Sequence, residues 1–401
     1  MALLTLRSLQ RREYRLFFFG QLVSLHGTWM QNVAQAWLVY RLTDSSFMLG
    51  LVAFASLIPV LLFGLPGGWL ADRLPRRRLF LATQLLALLQ ALVLAGLTFS
   101  GHIAVWHILV LAFLLGCVHA VEIPARHSLL PGLVPREELH NAVALNASVF
   151  NLARFLGPAI AGLLIVRFGE AWVFLLNAMT FSATVLAVLA MGLESRAGRD
   201  AARPRIGMLD GFHYAWRDLR LRHVILLVAA VSLCASPYTV LMPVFAREVF
   251  QGGPDVLGYL LGAAGGGALL AALRLAGRRE GEGIERWIAL ATLLAGVVLM
   301  LFSRLDSFAH ALPVLALAGF AVTTVIASTN TYLQLAAPDA LRGRIMSLFS
   351  TLFIGVAPLG NLLAGSLAEV LGVRTAMLLL GGGCLLAGLW YRGREGSKRG
   401  R

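Results

Sequence analysis

What most constrains this chain is a series of long stretches without Asp, Glu, Lys or Arg. They are Leu16–Tyr40, Ser45–Ala71, Leu79–Val121, Phe155–Val166, Ala171–Leu193, His223–Ala246, Val256–Leu273, Trp287–Ser303, Ser307–Pro338, Ile345–Ala368 and Thr375–Tyr391. A helix crossing the hydrocarbon core of a bilayer needs about 20 mostly apolar residues. Leu79–Val121 is twice too long for one helix, and Ser100-Gly101-His102 divides it. Phe155–Val166 is too short alone, but Leu139–Val166 suffices if it tolerates one buried arginine, Arg154. The pattern predicts an all-α integral membrane protein with twelve transmembrane helices. Composition agrees: 58% of residues are hydrophobic and 13% charged, against about 25% charged in soluble domains. Disorder, coiled coil, collagen and a disulfide-rich scaffold are excluded. The first apolar run, 25 residues long, exceeds a signal-peptide core and has no small-x-small cleavage site after it, so it is expected to stay as helix one.

The basic residues set the orientation. The termini and the even-numbered connections hold 28 of the 34, while Arg41, Arg167, Arg247, Arg304 and Arg374 fall on the opposite side. Cytoplasmic loops are the Lys/Arg-rich ones, so a multi-pass protein with both termini in the cytoplasm is expected. The net charge of +14 is then topogenic and faces anionic lipid; no nucleic-acid partner is expected. Cys117, Cys234 and Cys384 lie in apolar runs without metal-ligand or CxxC spacing, so neither a metal site nor a disulfide framework is expected.

The chain repeats itself. Shifted by 203 residues, Pro135 falls on Pro338, Leu145 on Leu348, Phe150 on Phe353, Gly157 on Gly360, Gly162 on Gly365, Leu164 on Leu367 and Gly169 on Gly372. Between the halves lies the longest polar stretch, Glu194–Arg222, with seven arginines and four acids. Two pseudo-symmetric six-helix bundles, 1–193 and 223–391, are expected, joined by a basic cytoplasmic linker, 194–222, and followed by a basic tail, 392–401. This is the parallel-repeat plan of rocking transporters. Leu209, Phe212, Trp216 and Leu219 recur in the linker at helical spacing, which predicts a short amphipathic helix on the membrane surface.

The connection after helix two reads Gly68-Trp-Leu-Ala-Asp72-Arg73-Leu-Pro75-Arg76-Arg77-Arg78. An acid at a helix end can accept bonds from a partner helix N-terminus or from an arginine in one state only, and so bias a two-state equilibrium. The stretch resembles the signature loop GxLaDrxGRrxxL of the major facilitator superfamily, with Pro75 where that pattern has glycine. The matching connection in the second half, Ala276-Gly277-Arg278-Arg279-Glu280, keeps the charges but not the motif. Helix five carries Gly157-Pro158-Ala-Ile-Ala161-Gly162, similar to the GPxxGG element of antiporters in that superfamily. Proline and glycine inside a span permit bending and close contact, either as a hinge or as a packing kink. The stretches Trp29-Met-Gln-Asn-Val-Ala, Glu122-Ile-Pro-Ala-Arg126, Pro135-Arg-Glu-Glu and Asn141-Ala-Val-Ala-Leu-Asn146 look like the drug-and-siderophore efflux group, which includes macrolide and enterobactin exporters. Thr28 stands where members of that group often carry an acid. The resemblance implies a monomeric bacterial inner-membrane antiporter with no cofactor, exporting amphipathic drugs or siderophore-like metabolites in exchange for protons. A metabolite importer, a lipid translocase or a non-transporting scaffold are the alternatives.

Ionisable residues inside the membrane are costly, at ~2.5–3.5 kcal/mol each, and so are candidates for chemistry. Glu122 lies in helix four with His119 one turn earlier on the same face, and Arg154 lies in helix five. Helices four and five turn near Arg136, which places Glu122 and Arg154 at similar depth and so able to pair, as a proton-coupling site or as a fixed ion pair; a third reading puts Glu122 in the solvated end of its helix. His26 is a weaker proton partner. Gln31, Asn32, Gln35, Asn146, Asn151, Asn330 and Gln334 are polar groups for a cavity or for bonds between helices. Gly262 to Gly267 lacks the Lys-Ser/Thr of a phosphate loop, and His119-Ala-Val-Glu122 is not HExxH. Transport powered by an ion gradient, rather than enzyme chemistry, is expected.

Overall fold

The computed structural model describes residues 7–192, 208–276, 283–338 and 341–399. All regular structure among them is helical. Lipid offers backbone groups no hydrogen bonds, and a helix satisfies them within its own segment. The first half holds α1 (Arg12–Thr43), α2 (Ser46–Arg73), α3 (Arg76–Phe99), α4 (Val105–Leu129), α5 (Leu139–Phe168) and α6 (Glu170–Ala190). A short α7 (Met208–Arg217) and α8 (Leu219–Cys234) follow, then α9 (Pro254–Ala276), α10 (Ile284–Phe302), α11 (Phe308–Ala336), α12 (Arg342–Leu371) and α13 (Val373–Arg399).

Eleven membrane-length helical segments among the described residues are apolar enough to cross a bilayer; α1 is not among them. Its 32 residues give ample length, but Gln21, His26, Gln31, Asn32 and Gln35 make it the polar helix of the set. The long second run divides at the expected place: α3 ends at Phe99 and Gly101 takes φ +72° before α4 begins. Pro75 opens α3 with φ −56°, so the ring supplies the turn. The stretch expected as one helix over His223–Ala246 is instead broken. After α8 it tightens into a 3-10 turn over Ser236–Leu241 and ends in a π turn over Phe245–Val249. Pro237 and Pro243 lack the N–H that a continuous helix would need.

The described residues fall into two compact units. One lies within Met1–Thr43, Ala55–Ala201 and Gly253–Gly258, the other within Asp44–Phe54, Ala202–Gly252 and Tyr259–Arg401. The division differs from a cut between 193 and 223 by two short pieces, 44–54 and 253–258. Close glycine contacts account for both. In the first unit Gly162 meets the Pro254 carbonyl and the Gly258 backbone; in the second Gly365 meets the Ser46 carbonyl and the Gly50 backbone, and a Cβ on either glycine would lie 2.6 Å or less from those carbonyls. The duplication reaches the turns as well. Gly169 (φ +86°) ends α5 and Gly372 (φ +81°) ends α12, while Asp44 and Gln251 take φ of 49° and 50° just ahead of α2 and α9.

Residues 194–207 of the linker lie outside the described residues, as do Gly277 to Glu280 of the second-half connection. The expected amphipathic segment is helical from Met208. Trp216 is exposed beneath the Arg222 guanidinium, and Asp218 caps α8 by accepting from the backbone N–H of Arg220 and Leu221. The C-terminal stretch expected as a separate basic tail continues α13 to Arg399. Leu85, Leu86 and Leu89 on α3, and Leu270 and Leu273 on α9, are more than 40% exposed, the surface a lipid-facing helix presents.

Candidate functional site

A cavity of 180 Å³ lies within the first unit, between α1, α3, α4, α5 and α6. Its wall combines Glu122, His119 and Arg126 of α4 with Gln21, Thr28 and Asn32 of α1 and Thr83 and Gln84 of α3. Trp29, Phe150 and Phe181 give it an aromatic side. Glu122 and His119 thus share a face, as their spacing required.

The expected pair between Glu122 and Arg154 does not form. Glu122 meets Arg126 one turn along its own helix, at 3.5 Å between Oε1 and Nε, with both side chains largely buried. Arg154 instead lies over the Trp29 ring, 6.0 Å from its centroid, and Trp29 packs edge-on against Phe150. α5 is seated on α1 at Gly157, where a Cβ would sit 2.7 Å from that of Trp29, and Arg154 is not among the residues that line the cavity. Arg126 Nη1 also donates to Gln21 Oε1 at 3.3 Å, but its buried Nε–H makes no hydrogen bond among the described residues. The acceptor Gln84 Oε1 is likewise buried and unpartnered there.

Pro124, between Glu122 and Arg126, shapes this wall. It has no N–H for the Ala120 carbonyl four residues earlier, and Gly67 of α2 packs directly onto that carbonyl. The tight glycine of the signature stretch is therefore Gly67; Gly68, one residue on, has open space beside it.

The other expected residues lie elsewhere. His26 Nδ1 donates to the Leu22 carbonyl at 2.6 Å and Asn151 donates to the Ala147 carbonyl at 2.8 Å, each within its own helix. Gln35 is buried outside the cavity. Gln31 joins a buried chain across three helices, donating to Gln90 Oε1 and accepting from Asn177 Nδ2 at 2.8 Å. Asp72 is exposed in the last turn of α2, with no hydrogen bond or ion pair among the described residues. Arg73 lies 4.0 Å above the Trp69 ring, and Arg76 opens α3. Arg77 donates to the Val188 and Leu189 carbonyls at the C-terminal end of α6, where unpaired carbonyls and the helix dipole favour a cation. Gly157, Pro158 and Gly162 all lie on buried contacts of α5.

Residue spacing alone pointed to Glu122 but not to its partners. The signal for Arg126 was its i+4 position on the same helix. For Gln21 and Gln84 it was that a glutamine in an apolar span needs a reason to be there.

At the ends opposite the arginine-rich connections, three of the few arginines are tied to acids. Arg41 holds Glu170 at 2.9 and 3.3 Å, Arg247 holds Asp44 at 2.5 Å, and Arg374 pairs with Asp306.

Comparison with known proteins fits this architecture. The staphyloferrin A transporter of Staphylococcus aureus is 27% identical over 374 residues, 91% of this chain and 92% of that one. The multidrug efflux pump Tap of Mycolicibacterium fortuitum is 28% identical over 390 residues, 95% of each. A POT family transporter solved in complex with 5-aminolevulinic acid has the same fold at a TM-score of 0.78 and 13% identity, over 94% of this chain and 95% of that one. These relatives are small-molecule transporters, and the many apolar helices mark a multi-pass bacterial membrane protein. The family model described as transmembrane secretion effector matches residues 4–393, so the chain belongs to that family of major facilitator transporters.

Proposed function

We propose that this protein exports small amphipathic molecules from the bacterial cytoplasm in exchange for protons, by alternating access, with both termini in the cytoplasm. The observation that carries the reading is Glu122: a largely buried carboxylate on the wall of a cavity inside the first unit, one turn from the arginine it pairs with. A carboxylate on a cavity wall can pair with its arginine or carry a proton, and the two occupancies exclude each other. Substrate that draws on the same carboxylate or the same arginine then competes with the proton, and competition of this kind is what antiport requires. The relatives named above support export, one being an efflux pump by name.

The energetics suffice. One elementary charge moving through 100 mV supplies ~2.3 kcal/mol, and each pH unit adds ~1.4 kcal/mol. A hundredfold gradient of a neutral solute costs about 2.7 kcal/mol, so one carboxylate is enough. Asp72 fits the second requirement, a contact made in one state only. It sits at a helix C-terminus, where the dipole disfavours an acid, and so gains by meeting a cation or a helix N-terminus when the transporter changes state. Gly157 and Gly162 supply the close seating of α5, and Pro158 between them, lacking an N–H, gives a point at which the helix can bend during such a change.

The test is pH-probe fluorescence in inverted vesicles, comparing the parent protein with Glu122→Gln while amphipathic substrates are added. Proton release on addition, lost in Glu122→Gln, is expected. Release that survives the substitution removes Glu122 from the coupling role, and proton movement in the symport direction overturns export.

A further inference from the structure

We infer that Asn32 is the residue by which the cavity selects its substrate, and that it takes a flat ring system whose edge carries a hydrogen-bond donor beside an acceptor. The inference rests on the transport reading above and names the substrate class of that same site.

It starts from the polarity of α1, the membrane-length helix that falls outside the apolar set. Gln21, Ser24, Thr28 and Asn32 follow one another at spacings of three, four and four, which puts them on one face of a helix. All four line the cavity. α1 gives up apolar length to present this stripe.

Along the stripe, hydrogen-bonding capacity is spent at one end and open at the other. Gln21 is buried and its Oε1 accepts from Arg126. Thr28 donates to the Ser24 carbonyl of its own helix. Gln31, beside Asn32 in sequence but off the stripe, is taken up by Gln90 and Asn177. Asn32 is exposed and has no hydrogen bond or ion pair among the described residues. A carboxamide that no neighbouring helix has taken up is free to meet what enters the cavity.

The side chain's chemistry sets the class. A carboxamide holds its C=O and NH₂ side by side, so it pairs doubly with an edge that offers a donor next to an acceptor. Paired contacts of this kind discriminate between closely similar rings. The neighbouring wall suits the face of such a ring. Trp29, three residues back on α1, lines the cavity with Phe150, and the two aromatic rings meet edge-on with centroids 5.8 Å apart. At 180 Å³ the cavity is smaller than the ~300–1,000 Å³ that encloses a whole drug-sized ligand, so it receives the ring and not the whole molecule. Asn32 also stands roughly 16 Å along α1 from Gln21, at ~1.5 Å per residue, so recognition sits away from the end where Arg126 is held.

The experiment measures binding, not transport. Full-length protein in lipid nanodiscs is dialysed to equilibrium against carbostyril, whose ring N–H stands beside its C=O, and against N-methylcarbostyril, which has the same rings without that N–H. Empty nanodiscs measure partition into lipid. The parent protein is expected to bind carbostyril at least about tenfold tighter than its N-methyl form, and Asn32→Leu, close in shape, to erase the difference. Because Asn32 has no partner to lose, the unfolding temperature should hold; Asn32→Ser serves if the leucine variant does not fold. Equal affinity for the two probes in the parent protein overturns the inference. So does a preference that survives substitution of Asn32, and so does the absence of binding by both probes. The proton-release assay on Glu122 reads a different group and reports on the transport reading separately.

Discussion

Gly169 and Gly372 make the same left-handed turn, and Gly162 and Gly365 seat neighbouring helix ends in the same way. The side chains buried between the helices are nevertheless of different kinds. In the first unit they include, beside hydroxyls, Gln21, Gln31, Gln84, Gln90, Glu122 and Asn177; in the second, hydroxyls such as Ser232, Thr292, Thr324, Ser328 and Thr329 predominate, with His223 and Asn361 beside them. A hydroxyl on a helix can donate to the carbonyl four residues back, as Thr292 does to Ile288 and Thr324 to Phe320, and so asks little of its neighbours. A glutamine or a carboxylate has longer reach and more bonds to fill, and must find them across helices or in a ligand. Two units can therefore share turns and glycine seats while the buried polar side chains of one ask more of their neighbours.

The largest effect expected from this contrast is at Glu122. Glu122→Gln should reduce proton-coupled flux by a factor on the order of 100 or more, in the range lost with a proton-transferring group, and vesicle pH measurements would show it. A single substitution among the second-unit hydroxyls with an equal effect would break the comparison. Next comes Arg126→Met, which leaves a buried carboxylate without its cation and should cost about 3–5 kcal/mol, read as a drop in unfolding temperature in nanodiscs. Combining it with Glu122→Gln should recover part of that loss; strict additivity would mean the two do not interact.

Smaller and symmetrical effects are expected at the seats. Gly162→Ala and Gly365→Ala each force a methyl against backbone and should destabilise by about 1–3 kcal/mol, as overpacking does. Unequal values would show that the two contacts are not equivalent. Smallest is a contrast of single polar groups. Gln31→Leu strands the Asn177 amide and the Gln90 carbonyl and should cost about 1–3 kcal/mol, whereas Thr292→Val removes a bond within one helix and should cost under about 1 kcal/mol. Thermal unfolding of the pair distinguishes them.

How much of this could be read from residues alone depends on the range of the interaction. Helix ends at Phe99 and Pro75 follow from local backbone rules, and the duplicated turns from glycines that recur 203 residues apart. The break within the seventh span was also written locally, in Pro237 and Pro243, but an uninterrupted apolar run outweighed it. Glu122 stood out because an acid in a span is rare. Its partner could not be found by matching depths. Placing Arg154 beside it assumed that α5 presents that face to α4, whereas the seat of α5 is on α1, through Gly157 against Trp29, a contact between residues 128 apart. Gln84 sat in the longest uncharged run, where nothing local separates a glutamine that lines a cavity from one that bonds a neighbour, as Gln90 does.

The N-terminal segment raises a question of timing. Ser8 bonds to Asn141 and to the Glu138 carbonyl, and Arg11 grips the Glu138 carboxylate at 3.0 and 3.4 Å. Those partners leave the ribosome more than 120 residues later, roughly ten seconds at ~5–20 residues per second. Through that interval four further helices are made while the start of the chain has nothing to hold. The clasp therefore closes only after four helices have been made, and it fastens the segment late rather than guiding its first placement.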